Sequence, residues 1–210
     1  MESLLSLRDV QLASQLLDTS SDCATSLELA NLRGRLIELS AHRGHPHLSL
    51  AVELLASTHR TGEPAAWIGP STSIFYPPDA AGWTLDWSAL AIIQLSDTHR
   101  RLRAADKLLR SGAFGLVVID LPDASTTPLP QPLIGRLARL AETHDSAAVF
   151  LTNTAEGASS LSSLISLRAR ALWKSAAPHR LQATFSVVKD KRRGPGHRRK
   201  ETYHGPLGLR

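Results

Sequence analysis

Cysteine is almost missing from this chain. Among 210 residues Cys23 stands alone, so no intrachain disulfide can form, and a reducing compartment suits such a sequence. Aromatic residues make up only 5%, so a core has to be built mainly from Leu, Ile, Val and Ala. Long apolar runs are also lacking. Stretches such as Leu116–Ile119 fall far short of the about 20 residues a membrane-spanning helix needs, which excludes a helical span and a membrane role. The opening Met1-Glu2-Ser3 has neither the basic start nor the apolar stretch of a secretory signal, and the expected location is the cytoplasm. No internal repeat is visible. What is present is an ordinary globular balance, 42% hydrophobic and 20% charged, which excludes a wholly disordered chain, a collagen and a coiled coil. The length fits one domain able to bury its own core without a staple.

Charge is unevenly spread. The formal net charge is +5, but residues 189–210 hold eight Lys/Arg against Asp190 and Glu201, a net +6, and residues 1–188 come to −1. The basicity is a feature of one end. It points to a polyanion or an acidic partner surface, the alternative being a solvated tail kept for solubility. Three parts are expected: 1–33, an N-terminal helix and linker; 34–188, an α/β core; and 189–210, a basic tail.

Residues 4–17 carry Leu5, Leu12 and Leu16 on one side of a short helix, a stripe that must bury against the core, a second copy or another protein. Residues 18–26 (DTSSDCATS) read as a linker. Strands are expected at 35–40 (RLIELS), 65–68 (AAWI), 89–95 (ALAIIQL), 116–120 (LVVID) and 147–151 (AAVFL), with two more near 165–173 and 182–188. Helices are expected at 48–59, 99–110 and 133–143. Residues 70–82 and 122–132 read as Pro-rich loops, and 154–163 as a mobile polar segment. Strands alternating with helices predict an α/β fold with a mostly parallel sheet between helix layers.

Three features follow one another in a telling order. The strand, turn and helix of 35–60 sit where a P-loop would, GLVVIDL ends in an acid as a Walker B strand does, and FSVVKDK opens the tail. Together they resemble the RecA core. Over about 34–210, with LRAADKLLRSGAFGLVVIDLP, RLARLAETHDSAAVFLTN and VVKDKRRGPGHRRKETYHGPLGL, the chain is similar to the ImuA family, the RecA-like mutagenesis accessory proteins of the SulA/RecA group. The resemblance implies a RecA-like P-loop-type core and a role in bacterial translesion DNA synthesis, damage-induced mutagenesis and the SOS response at the nucleoid. The implied partners are an ImuB-like, catalytically inactive Y-family polymerase and an error-prone C-family DNA polymerase, with DNA, RecA and a second copy as further candidates.

Nucleotide chemistry makes stricter demands. A P-loop reads G-x-x-x-x-G-K-[ST], because glycines let backbone N–H groups wrap the phosphates, Lys neutralises them and the hydroxyl holds magnesium. Aligned on RLIELS, this chain has Ala41 for the first Gly, Pro46 for the second, His47 for the Lys and Leu48 for the hydroxyl, with Gly44 between. Pro46 has no N–H to offer, His47 is mostly neutral at pH 7 and short, and Leu48 cannot ligate a metal. The Glu that would polarise water in RecA, after the next strand, is replaced by Gly69-Pro70-Ser71. Asp120 keeps the Walker-B-like position without its partner hydroxyl, and is expected to cap nearby backbone N–H groups. The expectation is a degenerate site, no ATPase, no cofactor and no metal. His42, His45 and His47 lack a fourth ligand nearby and read as relics of the loop. No spacing supports a catalytic nucleophile, Cys23 included.

What survives is binding surface. The resemblance makes Lys189 and Lys191 the counterparts of a Lys-x-Lys that crosses a RecA filament interface. Arg192, Arg193, Arg198, Arg199 and Lys200, broken by Gly194-Pro195-Gly196, are expected to form a flexible basic arm for DNA phosphates or a partner. Residues 154–163 take the place of a RecA DNA-binding loop but hold Glu156 and no Lys or Arg. Trp67, Trp83, Trp87 and Trp173 are expected in packing rather than base stacking. Two rivals stand beside the adaptor reading: an ATP-dependent RecA-like recombinase, which residues 41–48 argue against, and a SulA-like cell-division inhibitor, which the basic end argues against.

Overall fold

The computed structural model describes residues 27–42, 44, 46–73, 75–80, 82–124, 129–155, 157–177 and 180–204. The expected helix with Leu5, Leu12 and Leu16, the linker and Cys23 lie outside them. The elements run α1 (Leu29–Leu32), β1 (Arg35–Ala41), α2 (Pro46–Arg60), β2 (Ala65–Gly69), β3 (Leu90–Gln94), α3 (Thr98–Ser111), β4 (Leu116–Leu121), α4 (Gln131–Thr143), β5 (Ala147–Asn153), β6 (Leu167–Ala177), β7 (Arg180–Asp190) and β8 (Arg198–His204). One eight-stranded sheet takes the order β3-β2-β4-β5-β1-β6-β7-β8. Neighbours from β3 through β6 are parallel, and β6-β7-β8 is an antiparallel extension. The α/β expectation of a mostly parallel sheet between helices therefore holds.

Helices cover both faces of the parallel part. Against α1 and α2 lie Ile37, Leu39, Trp67, Val118 and Val149; against α3 and α4 lie Leu36, Ile68, Ile119 and Phe150. This two-sided cover explains why LVVIDL is a continuous buried run. The same alternation continues into β6 and β7 on one side only, where Ala169, Ala171, Ala183, Phe185 and Val187 join the α2 core.

Local signals set the ends of the elements. Asp97 caps α3, accepting from Arg100 N at 2.7 Å, and Gly112 closes it at φ +68°. α2 starts at Pro46, two residues before the expected start, because proline is well suited to the first helical turn. Among the described residues no helix is long and apolar enough to cross a membrane.

Two expectations need correction. β7 runs through to Asp190, past the expected boundary at 188, and residues 198–204, read as part of a flexible arm, form β8. Gly194 (φ +82°) and Gly196 (φ +110°) turn the chain back, and Val187 N donates to His197 O at 2.7 Å. The Gly-Pro-Gly interruption is a hairpin connection; Lys189, Arg198, Arg199 and Lys200 belong to the sheet, and Lys191, Arg192 and Arg193 to the turn between its strands. Second, 154–163 is irregular but anchored through its contacts with β1 and β6, as described next.

Candidate functional site

Ligands of open parallel sheets gather at the carboxyl ends of the strands. Here those ends bring together Ala41 from β1, the turn to Pro46, and Asp120 from β4, with β5 between. Ala41 is buried at the end of β1, and its carbonyl accepts from Thr154 N at 3.1 Å. Gly44 has φ +63°, and a Cβ there would stand 2.8 Å from Trp173 Cδ1 on β6. Trp173 thus packs against the turn. Pro46 opens α2, so the helix lacks the N–H of that residue. His47 is buried, and Leu48 packs on the core. His42 is exposed, and His45 lies outside the described residues. No group of three metal-ligating side chains occurs among the described residues.

Asp120 is 5% exposed and accepts from Ser73 Oγ at 2.8 Å. Ser73 belongs to the loop after β2, which folds back over Gly69 and stacks Phe75 on Trp67, ring centroids 4.3 Å apart. The backbone carbonyl of Asp120 accepts from Arg101 Nη1 at 2.6 Å. The Ser73 hydroxyl is thus one partner of the carboxylate.

A second constellation, missed in the sequence, lies where β1 meets β6. Glu38 is fully buried and pairs with Arg168 Nε at 3.2 Å. It also accepts from Ser160 Oγ at 2.7 Å and Leu161 N at 3.0 Å, and Arg168 Nη1 donates to Ala158 O at 2.5 Å. Buried charges require such partners. Lys189 Nζ donates to Ser163 O at 3.3 Å; burial, and then the Lys191 charge, push its pKa below the ordinary lysine value. The residues taken to stand in a RecA DNA-binding loop are thus fastened to the sheet, and Glu156 lies outside the described residues. One signal was available: a Glu in the middle of a buried strand demands a cation, and Arg168 is the first of the alternating cations in LRARALWK.

The basic residues of the C-terminal region divide. Lys191, Arg192 and Arg193 are exposed around the turn, and Arg193 Nη2 donates to Asn31 Oδ1 at 2.8 Å. Arg199 faces α2, pairing with Glu53 at 2.6 Å and Glu201 at 2.9 Å. Burial works against its charge, but the two carboxylates outweigh this and hold its pKa above the ordinary value. Arg198 and Lys200, alternating with it, lie on the opposite face of β8 and are exposed. Arg170 and Lys174 of β6 share that face. The every-other-residue cations in LRARALWK were the signal for them. Trp67 is core, while Trp87 is 43% exposed.

A mixed α/β domain with a mostly parallel sheet between helices, and a strand–turn–helix at its carboxyl edge, is consistent with a RecA-like core. The chain is similar in part to Protein RecA of Kineococcus radiotolerans (33% identical over 88 residues, 42% of this chain and 25% of that protein) and of Mycobacteroides abscessus (33% over 88 residues, 42% and 25%). Protein RecA of Corynebacterium jeikeium is 30% identical over 94 residues, 45% of this chain and 25% of that protein. The chain thus spans about a quarter of the length of the curated relatives it matches, and the similarity supports a RecA-like relationship. No protein-family model matches the chain.

Proposed function

We propose that this RecA-like chain does not turn over ATP and acts as an adaptor of the ImuA kind in bacterial translesion DNA synthesis and damage-induced mutagenesis. Its partners on this reading are an ImuB-like inactive Y-family polymerase and an error-prone C-family DNA polymerase, assembled on DNA at the nucleoid. The observation that carries the reading is the turn after β1. Proline opens the helix where a phosphate cradle needs an N–H, and the imidazole in the lysine position is buried rather than presented. His47 and Leu48 fill the positions of the P-loop lysine and hydroxyl, so the two side chains that hold the phosphate tail and its magnesium are missing from those positions.

Titration calorimetry with ATP and magnesium tests the nucleotide half, with no saturable heat expected at micromolar nucleotide. Co-purification with the ImuB-like partner tests the adaptor half. A second reading, an ATP-dependent RecA-like repair enzyme, draws on the buried Asp120 at the end of β4 and the similarity to RecA. Saturable, magnesium-dependent ATP binding would favour it over the adaptor.

A further inference from the structure

The sheet face that α3 and α4 cover over β2, β4, β5 and β1 continues across β6, β7 and β8, where among the described residues no helix covers it. Anchored residues 158–161 cover its edge at Arg168. Beyond them the pairing register sets Arg170 opposite Ser186, and Ser186 opposite Arg198; the next rows set Thr184 opposite Lys200 and Lys174 on β6 opposite Gln182. Lys174, Arg198 and Lys200 are exposed, and no ion pair among the described residues involves them. From position 170 onward the described part of this face carries no acid. The acids of β7 and β8 are turned elsewhere: Asp190 is buried against Arg35, and Glu201 faces α2 with Arg199.

We infer that this bare, cationic sheet face is a docking surface for the phosphate backbone of a single DNA strand. This deepens the DNA-contact part of the reading above and rests on it. Three observations select the occupant. The charge is all of one sign, which a polyphosphate complements. The hydroxyls of Ser186 and Thr184 lie between the cationic rows, as neutral donors for phosphate oxygens. Among the described residues no aromatic ring stands on this face and no helix or loop projects from it, so they offer neither a stacking platform nor an element to enter a groove. Contact with phosphates alone makes binding sequence-blind. Leu172 and Val188, 38% and 40% exposed, add apolar surface between the cations.

The test uses the full chain and a fluorescently labelled mixed-sequence DNA strand of about 30 nucleotides, with anisotropy read over a range of salt. Replacing three phosphate partners in the variant Lys174→Gln/Arg198→Gln/Lys200→Gln should weaken binding by about tenfold or more at low salt. It should also make the slope of log K against log[salt] shallower by about 2. The turn variant Lys191→Gln/Arg192→Gln/Arg193→Gln removes the same charge away from the face and should cost clearly less. Circular dichroism should show both variants folded, since all six side chains are exposed or at a turn. On the unaltered protein, bound DNA should protect Lys174 and Lys200 from an amine-reactive reagent, a readout independent of any variant. Equal losses in the two variants would reduce the effect to net charge and overturn the proposal. Binding by the face variant equal to the parent's, with no lysine protection, would also overturn it, leaving the face to an acidic protein and DNA contact elsewhere. A parent chain that binds no DNA would remove the DNA-contact part of the adaptor reading as well, while leaving its polymerase partners untouched.

Discussion

Strands β2, β4, β5 and β1 carry apolar side chains toward helices on both faces, whereas β6, β7 and β8 carry them mainly on one face and, apart from Leu172 and Val188, polar or basic described side chains on the other. The first group is held by burial from two sides. The second is held by burial from one side and by ion pairs at its inner edge. Glu38–Arg168 and Arg35–Asp190 sit at that boundary, joining β1 to β6 and to the end of β7, with Arg35 Nη2 and Asp190 Oδ1 2.6 Å apart. A sheet can thus be extended beyond its helical cover when the extension's open face is compatible with water and the junction is fixed by directional contacts. The cost is dependence on a few buried charges, each of which needs its partner.

The largest expected effect comes from breaking that junction. Glu38→Ala leaves the Arg168 guanidinium buried without its carboxylate and releases Ser160 and Leu161. Loss of one partner of a buried pair costs about 3–5 kcal/mol. Urea unfolding should show this loss, and hydrogen exchange should show 158–163 opening. A variant as stable as the parent would mean that the extension does not rely on this pair. Asp190→Asn should follow closely, because Arg35 is 3% exposed and loses the carboxylate it pairs with, keeping the neutral acceptors Ser166 and Asn31.

Much of the two-faced half was legible in the sequence because its signals agree. LVVIDL and AAVFL are uninterrupted apolar runs, and α3 has an Asp start and a Gly stop. The extension was harder to read. RRKETYH has no apolar alternation, since β8 places Arg199 and Glu201 where other strands place Ala or Phe, and their mutual pairing replaces burial. Gly194-Pro195-Gly196 signals a break equally well for a loose arm and for a hairpin, and only the partner strand decides between them. At the candidate loop the residue types at 41, 46, 47 and 48 were legible directly. The seating of Trp173 against Gly44 was not, because it depends on β6 lying beside β1.

That seating gives the next prediction. Gly44→Ala places a methyl 2.8 Å from Trp173 Cδ1 and asks an L-residue to hold φ +63°. Strain of this kind costs about 1–3 kcal/mol. The loss should appear in thermal unfolding together with a change in tryptophan fluorescence. Gly62→Ala serves as a control with φ +76° and nothing within 4 Å of its would-be Cβ; it should pay for the backbone alone. Equal losses at the two sites would show that the Trp173 contact is irrelevant.

Alternation on β8 can be tested with two neighbours. Arg199→Gln removes a half-buried cation shared by Glu53 and Glu201 and should cost about 1 kcal/mol. Lys200→Gln, on the bare face, should stay within about 0.5 kcal/mol of the parent. A reversed order would mean that β8 turns the other way, and the basic face would lose two of its cations.

The smallest effect is expected at the covered end, at His59 in the last turn of α2. Its Nδ1 accepts from Asp86 N at 3.0 Å, ahead of the turn that leads into edge strand β3. Burial lowers the pKa of His59; the Asp86 carboxylate and the Ala89 backbone pull the other way, and burial prevails. With the folded pKa below the ordinary value of about 6.5, the unfolded chain takes up the proton first as pH falls. The contribution of this group is therefore complete above about pH 6.5 and is lost progressively below it, down toward the folded pKa. Protonation also removes the Nδ1 acceptor, so the 86–89 turn should loosen before the rest of the sheet. An NMR titration should give His59 a midpoint below the ordinary histidine value of about 6.5, with the Asp86 amide shifting in step. A His59 midpoint at or above about 6.5 would mean that the Asp86 carboxylate and the Ala89 backbone outweigh burial, and acid would then tighten this end of the sheet.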